Sequence, residues 1–473
     1  MDDAVPIPSG GLKKYLSVLA HRNFRLLWLA QVCAKLSENF LNFALVILLF
    51  QVTNSTFLVS VLVALVSIPP ILFSAGAGVF ADSYNRKKIM LATNFLRLLL
   101  VVPVLVSWQE PSFLLGSAFV LAVFAQFFSP AEVASIPTLV PKEQLFTANA
   151  FYQFTGYAAF LLGYSLAGPS LHRLGEGSTL LISLGLYALA VILVAFLPNL
   201  NAHLLKLSQI ELAVHRSYRQ FWQRLLEGVR FIRQHPVVLF IIIQVGVLFA
   251  IEKSFISLAP SFSQNLLRFN VEELSLFLIV PTGIGAFVGA IVANAVRGKF
   301  QKDHLISFGM VLDGIALFFL AFITQIVDFG VGLGLSAAVA LKTFVVMMAF
   351  LSGFADPFII ISAQTAIHEL VPNEDRGRVF GVLYTVINTM SIVPVLIIGA
   401  LTTRGIAIQA IVVGLGLVIL AAAVIGVVYY RGHHLGREAP TTPSLIAPDR
   451  VGAARDTPSR NKFGTGSRAG GDV

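Results

Sequence analysis

Gln31, Lys35, Glu38 and Asn42 stand inside a long apolar stretch at spacings of four, three and four residues. On a helix of about 3.6 residues per turn all four share one face, with Lys35 and Glu38 close enough to pair. An ammonium beside a carboxylate in apolar surroundings can take up and release a proton, or meet a charged solute. Gln244, Glu252 and Lys253 form a second such group, with Glu252 214 residues after Glu38. Arg97, Asp313 and Lys342 also lie in apolar stretches. Arg97 and Asp313 are expected within a turn or two of a membrane surface, where snorkelling or helix packing accounts for them. Lys342 is expected deeper, facing a cavity. Glu132 and Asp356 are expected near helix ends, and Gln153 and Tyr157 along a path or between helices.

Other chemistries are not spelled out. HExxH, paired-cysteine and nucleophile-elbow arrangements are missing, and the single cysteine, Cys33, offers neither a disulfide framework nor a thiolate metal site. Gly283, Gly285 and Gly289, and Gly330, Gly332 and Gly334, lack the preceding strand and following Lys-Ser of a phosphate loop, so close helix packing is expected of them. The expectation is therefore no enzyme, no catalytic residue, no cofactor and no metal, with energy drawn from an ion gradient rather than ATP.

The elements that position these groups follow from composition. The chain of 473 residues is 56% hydrophobic and 12% charged, with a mean hydropathy of +0.83. A soluble domain carries about 25% charged residues, so lipid must solvate most of this one. A charge at mid-bilayer costs at least about 2.5–3.5 kcal/mol, which makes each intramembrane charge a functional candidate. The net charge of +9 sits between apolar segments rather than on one exposed face, which fits membrane topology and not nucleic-acid binding.

Stretches long enough to span the bilayer run near 24–50, 57–81, 89–108, 112–135, 150–171 and 179–198, then 237–262, 272–296, 305–326, 332–356, 379–403 and 405–430. The expected fold is an all-α membrane protein of twelve helices in two six-helix bundles, 24–198 and 237–430. A cytoplasmic segment, 1–23, precedes them, and a disordered basic tail, 431–473, follows. The linker 199–236 carries Arg216, Arg219, Arg224, Arg230 and Arg233 among apolar positions 222, 225, 226 and 229, the pattern of an amphipathic helix on the bilayer surface. With the N-terminus inside, lysines and arginines fall overwhelmingly on the cytoplasmic side; only Arg173, Arg268 and Arg404 fall outside. Both termini are thus expected in the cytoplasm of a cell-membrane protein.

The halves echo each other. Leu139-Val140-Pro141 follows the fourth span and Leu370-Val371-Pro372 the tenth, and the loop from Gly78 to Lys88 has a degenerate counterpart from Gly289 to Lys299. Six-helix parallel repeats are a known transporter plan. The loop Gly78–Lys88 resembles the signature G-x-L-a-D-r-x-G-R-[RK] of the major facilitator superfamily, with Gly78, Asp82, Arg86 and Lys87 matching. Phe80, Ser83 and Asn85 depart, Asn85 being a residue that replaces glycine well at positive φ. Ser129-Pro130, Ile136–Pro141, Thr147–Ala150 and Arg376–Val379 resemble the bacterial siderophore and macrolide exporter branch. Gly156, Gly163, Gly168 and Pro169 resemble part of its antiporter motif, with His172 and Arg173 in place of the closing glycines.

The resemblance implies a gate at Asp82 and Arg86 and a central cavity lined by the first and seventh spans. Glu38 is then the main protonatable carboxylate, Lys35 its partner and Glu252 second, with Gln31, Asn42 and Lys342 lining the same space. The expected function is proton-coupled efflux of a small amphipathic solute by a monomer in the lipid bilayer. A lysophospholipid flippase is the alternative; a polytopic membrane enzyme and a sensor are weaker ones.

Overall fold

The computed structural model describes residues 17–200, 207–323, 325–326 and 336–432. The tail from His433, the residues before Ser17, Gly330, Gly332 and Gly334, and the side chains of Arg216 and Arg224 lie outside the described residues. Among the described residues all regular structure is helical. The first half holds α1 (Arg22–Thr53), α2 (Thr56–Ser83), α3 (Arg86–Ser107), α4 (Pro111–Leu139) and α5 (Leu145–Ala195). α6 (Leu207–Gln234) links it to α7 (Pro236–Phe262), α8 (Val280–Val296), α9 (Lys302–Ala321), α10 (Ala337–Leu370), α11 (Asn373–Thr403) and α12 (Ile408–Gly432). Apart from α6, these are eleven helices long and apolar enough to cross a bilayer.

One of the eleven carries two crossings. α5 has 51 residues and breaks at Gly175, whose φ of 77° favours glycine. It starts beside His21, which is 3.0 Å from Gln144. Beyond its end, the Leu197 carbonyl accepts from Lys87 Nζ and the Leu200 carbonyl from the Arg86 N–H. The chain thus goes out and returns to the end of the bundle from which it left. That end, which also bears α6, is called the linker end below.

Local sequence sets the boundaries. Ser55, Asn85 and Ser336 begin α2, α3 and α10, each side chain accepting a backbone N–H three residues on. Asn85 thereby corrects an expectation: its φ is −61°, so it stands in the signature loop as a helix cap and not as a substitute for a left-handed glycine. Several prolines lie within helices rather than at their ends. Pro69 and Pro70 lie inside α2, Pro130 and Pro137 inside α4, and Pro357 inside α10. Within a bilayer, neighbouring helices and side chains re-satisfy the freed carbonyls, so such helices continue. The tenth span accordingly runs through Pro357 to Leu370, which puts Asp356 mid-helix rather than near an end. Glu132 lies seven residues inside α4.

α6 has two working faces. Gly228 and Ile232 are buried and Phe221 and Leu225 half-buried against the bundle, whereas Trp222, Leu226 and Val229 are exposed. Of the four apolar positions expected on one face, Leu225 therefore belongs to the packed side. The Tyr218 hydroxyl donates to the Leu72 carbonyl of α2 at 2.6 Å, and Glu227 pairs with Arg378 of α11 at 3.3 Å, so α6 touches both halves. Burial pushes the Tyr218 hydroxyl above its ordinary range, which keeps it a proton donor at neutral pH.

The halves also meet directly, mostly at the far end. Thr56 bonds Ser261, Gln51 bonds Glu272, and Ser275 Oγ both accepts from the Gly168 N–H and donates to the Tyr164 carbonyl. Gly399 packs on Phe57 and Ser60. Midway, Lys253 Nζ donates to Ser67 of the first half and Asn388 of the second, each at 3.1 Å. At the linker end a cavity of about 550 Å³ opens between Ala75, Phe221, Leu225, Glu374, Gly377 and Arg378.

Candidate functional site

α1 delivers Lys35 and Glu38 one turn apart, and their side chains pair at 3.2 Å. Glu38 is not a simple two-residue pair: Arg97 Nη1, from α3, lies 3.5 Å from the same carboxylate oxygen. Arg97 is completely buried, with its guanidinium over Phe128 of α4 at 5.3 Å and Tyr187 of α5 at 5.9 Å. It therefore does not snorkel. Eleven residues separate it from Arg86 at the start of α3, a rise of about 16 Å, which is half the hydrocarbon thickness. Cation–π contact and the Glu38 charge compensate the buried guanidinium, whose three nitrogens have no closer hydrogen-bond acceptor.

Glu132 completes the group. It is fully buried on α4, accepts a 2.6 Å hydrogen bond from the Tyr152 hydroxyl of α5 on Oε2, and leaves Oε1 without a partner. Gln31, two turns before Glu38, donates to the Tyr152 carbonyl at 3.0 Å and so fixes α1 against α5 at the same place. Trp28 does likewise through Thr155 at 2.8 Å. Asn42 continues the α1 face, half-buried, one turn beyond Glu38. Four helices thus surround two carboxylates with two cations. Of the two carboxylates Glu38 keeps a partly exposed side chain whereas Glu132 is fully buried.

The second half holds a different arrangement. Glu252 of α7 hydrogen-bonds to Asp356 of α10 and lies near Asp313 of α9, whose Oδ1 accepts from Ser352 at 2.5 Å. Three carboxyl groups thus converge, with Lys253 turned away toward the seam between the halves. Asp313, expected near the surface, is buried in this cluster. Gln244 accepts from Tyr430 at 2.7 Å and anchors α12. Lys342 departs from expectation: it lies in the second turn of α10, far from the linker end, with Nζ 4.7 Å from the Phe277 ring and 5.6 Å from that of Phe269.

The signature loop sits at the linker end. Asp82 Oδ1 is 3.8 Å from Arg86 Nη2, and the Asp82 side chain is 77% exposed. Arg86 donates to the carbonyls of Ala81 (3.2 Å), in the last turn of α2 where the helix dipole favours a cation, and of Ala134 (2.6 Å), five residues before the end of α4. Arg376 does the same for the end of α10 through Val371 and His368. A side chain at Gly78 would meet open space, whereas one at Gly163 would approach Asn39 Cβ to 2.7 Å and one at Gly168 would strike Glu272 and Ser275. Pro169 follows within α5.

Sequence spacing found the α1 face but missed Arg97 as its partner. The available signal was depth: counting rise from Arg86 puts Arg97 too deep to reach water. The Glu252 cluster had no such signal, because its members come from helices 61 and 104 residues away along the chain.

Comparison with known proteins matches this architecture. The chain is 26% identical to the MFS-type transporter YfiS of Bacillus subtilis, over 72% of this chain and 78% of that protein. It is 23% identical to macrolide efflux protein A of Streptococcus pyogenes, covering 76% and 84%. A shorter match, 33% identical over 125 residues, covers 26% of this chain and 30% of the lysophospholipid transporter LplT of Yersinia enterocolitica. Among solved structures, the nucleoside transporter NupG superposes with a TM-score of 0.66 at 11% identity, over 86% of this chain and 99% of that one. An inward-facing bacterial homologue of the lysosomal transporter Spinster superposes at 0.60, with 14% identity, over 86% and 95%. The sequence pattern of the family matches residues 27–347, and the chain belongs to the Major Facilitator Superfamily.

Proposed function

We propose that this multi-pass membrane transporter exports a small amphipathic solute in exchange for protons, with α6 and both termini in the cytoplasm. The observation that carries the reading is the Lys35–Glu38–Arg97 cluster. Glu38 remains 22% exposed at the side chain although Arg97 behind it is sealed, so one carboxylate connects a solvent-reachable face to a buried cation. Protonation of Glu38 uncovers the charge of Arg97 and Lys35, and burying that excess charge is unfavourable. A solute group or the opposite conformer can compensate it, which links proton entry to the opening of the other side. Likeness to a macrolide efflux protein supports the outward direction. The division into bundles 24–198 and 237–430, with the signature residues Gly78, Asp82, Arg86 and Lys87 acting between them, belongs to the same proposal.

The test is uptake into proteoliposomes of oriented protein, with a panel of cationic, neutral and anionic amphiphiles and an imposed pH gradient. Gradient-driven accumulation of at least one amphiphile is expected. Equal rates with and without the gradient, across the panel, contradict coupling. The short match to a lysophospholipid transporter favours a second reading, lipid flipping, so a lysophospholipid belongs in the panel. Its transport without a proton requirement would replace export by that reading.

A further inference from the structure

The outer face of α6 is unaccounted for by transport. Between Arg219 and Arg233 it exposes Trp222 (49%), Leu226 (64%) and Val229 (37%), with Arg219, Arg230 and Arg233 also exposed. At about 100° per residue these six fall within an arc of about 100°, and no acidic residue shares it. Glu227 points elsewhere and is paired with Arg378. The buried edge, Gly228 and Ile232, lies on a separate arc against α11 and the bundle.

Depth places this stripe at a membrane boundary. Tyr218 bonds the Leu72 carbonyl, eleven residues before the end of α2 at Ser83, or about 16 Å along the axis. α2 has 28 residues, about 42 Å, against roughly 30 Å of hydrocarbon, and we assign the excess of about 12 Å to the end that carries the exposed Asp82. The Tyr218 end of α6 therefore sits near the level where acyl chains give way to headgroups. An aromatic and two aliphatic side chains flanked by three guanidinium groups at that level match acyl chains below and phosphate above.

We propose that the exposed stripe of α6 binds anionic phospholipid, making this helix a strap held by the bilayer on one face and by both halves on the other. The arginines select the headgroup and Trp222, Leu226 and Val229 enter the acyl boundary.

The test uses the full-length protein in vesicles of phosphatidylcholine doped, at equal mole fraction, with brominated phosphatidylglycerol or brominated phosphatidylcholine. Bromine quenches nearby tryptophan, and subtracting the Trp222→Phe signal isolates Trp222. Quenching of Trp222 by the brominated anionic lipid should be at least about twofold stronger than by the neutral one, and salt should reduce the difference. The selectivity should vanish in the triple variant Arg219→Gln, Arg230→Gln, Arg233→Gln, while quenching by the neutral lipid persists and reports an intact helix. Equal quenching by both lipids in the wild type, no quenching by either, or full selectivity in the triple variant would each overturn the proposal.

Discussion

At the scale of single residues, Arg97 is the group on which the candidate site depends. It is buried among aromatic rings with one carboxylate within reach, so removing its charge leaves Glu38 with Lys35 alone and leaves a polar amide where a guanidinium stacked. Breaking a buried pair by truncating one partner costs about 3–5 kcal/mol. Arg97→Gln should therefore lower the thermal midpoint in detergent by several degrees and abolish transport, whereas Arg97→Lys should recover much of the stability. A stable, active Arg97→Gln protein would mean that the cluster is dispensable. Spacing alone exposed the α1 half of this site, because four polar residues on one helical face leave a periodic trace. Arg97 and Glu132 left none, since they are single residues on separate helices and acquire meaning only when α3 and α4 pack beside α1.

At the scale of elements, small residues decide how closely helices approach. Gly285 and Gly289 of α8 lie on the Phe350 and Phe354 backbone of α10, and Gly353 of α10 lies on Thr282 of α8. Any side chain there drives the two helices apart. Gly353→Val should cut the yield of monodisperse protein severalfold, with Gly377→Ala, which meets open space, as the unaffected control. Normal yield of Gly353→Val would show that the interface tolerates separation. Such packing was legible in the glycine spacing; where helices stop was less so, because the spans expected to end at 135 and 356 run on through Pro137 to Leu139 and through Pro357 to Leu370. α6 makes a further element-scale prediction. Tyr218→Phe removes one bond between α6 and α2, and since the hydroxyl is held above its ordinary range the effect on transport should not vary between neutral pH and about pH 9. A change in transport that tracked pH over that range would assign Tyr218 a titrating role instead.

At the scale of the whole molecule, the described hydrogen bonds that join the halves gather at the end opposite the linker, while at the linker end α2, α6 and α11 surround a cavity. Thr56 and Ser261 lie in hydrogen-bonding contact across the closed end. In a Cys33→Ser background, Thr56→Cys with Ser261→Cys should form a disulfide under mild oxidation, stop transport, and recover with reductant. Undiminished transport by the cross-linked protein would show that the closed end need not open. The architecture itself was readable from apolar run lengths and the placement of basic residues, since the bilayer permits few solutions. Which end is closed was not readable, because both forms share one sequence and differ only in which of two seams is formed.

The account turns on Glu38 as the coupling carboxylate, and Glu38→Gln keeps its shape while removing its proton. In proteoliposomes with a graded pH difference, wild-type exchange should rise steeply with the gradient. The Glu38→Gln protein should bind solute with little change yet exchange it at a rate independent of the gradient. A Glu38→Gln protein whose exchange still follows the gradient as the wild type does would contradict the account and move the coupling to Glu252 and its carboxyl neighbours.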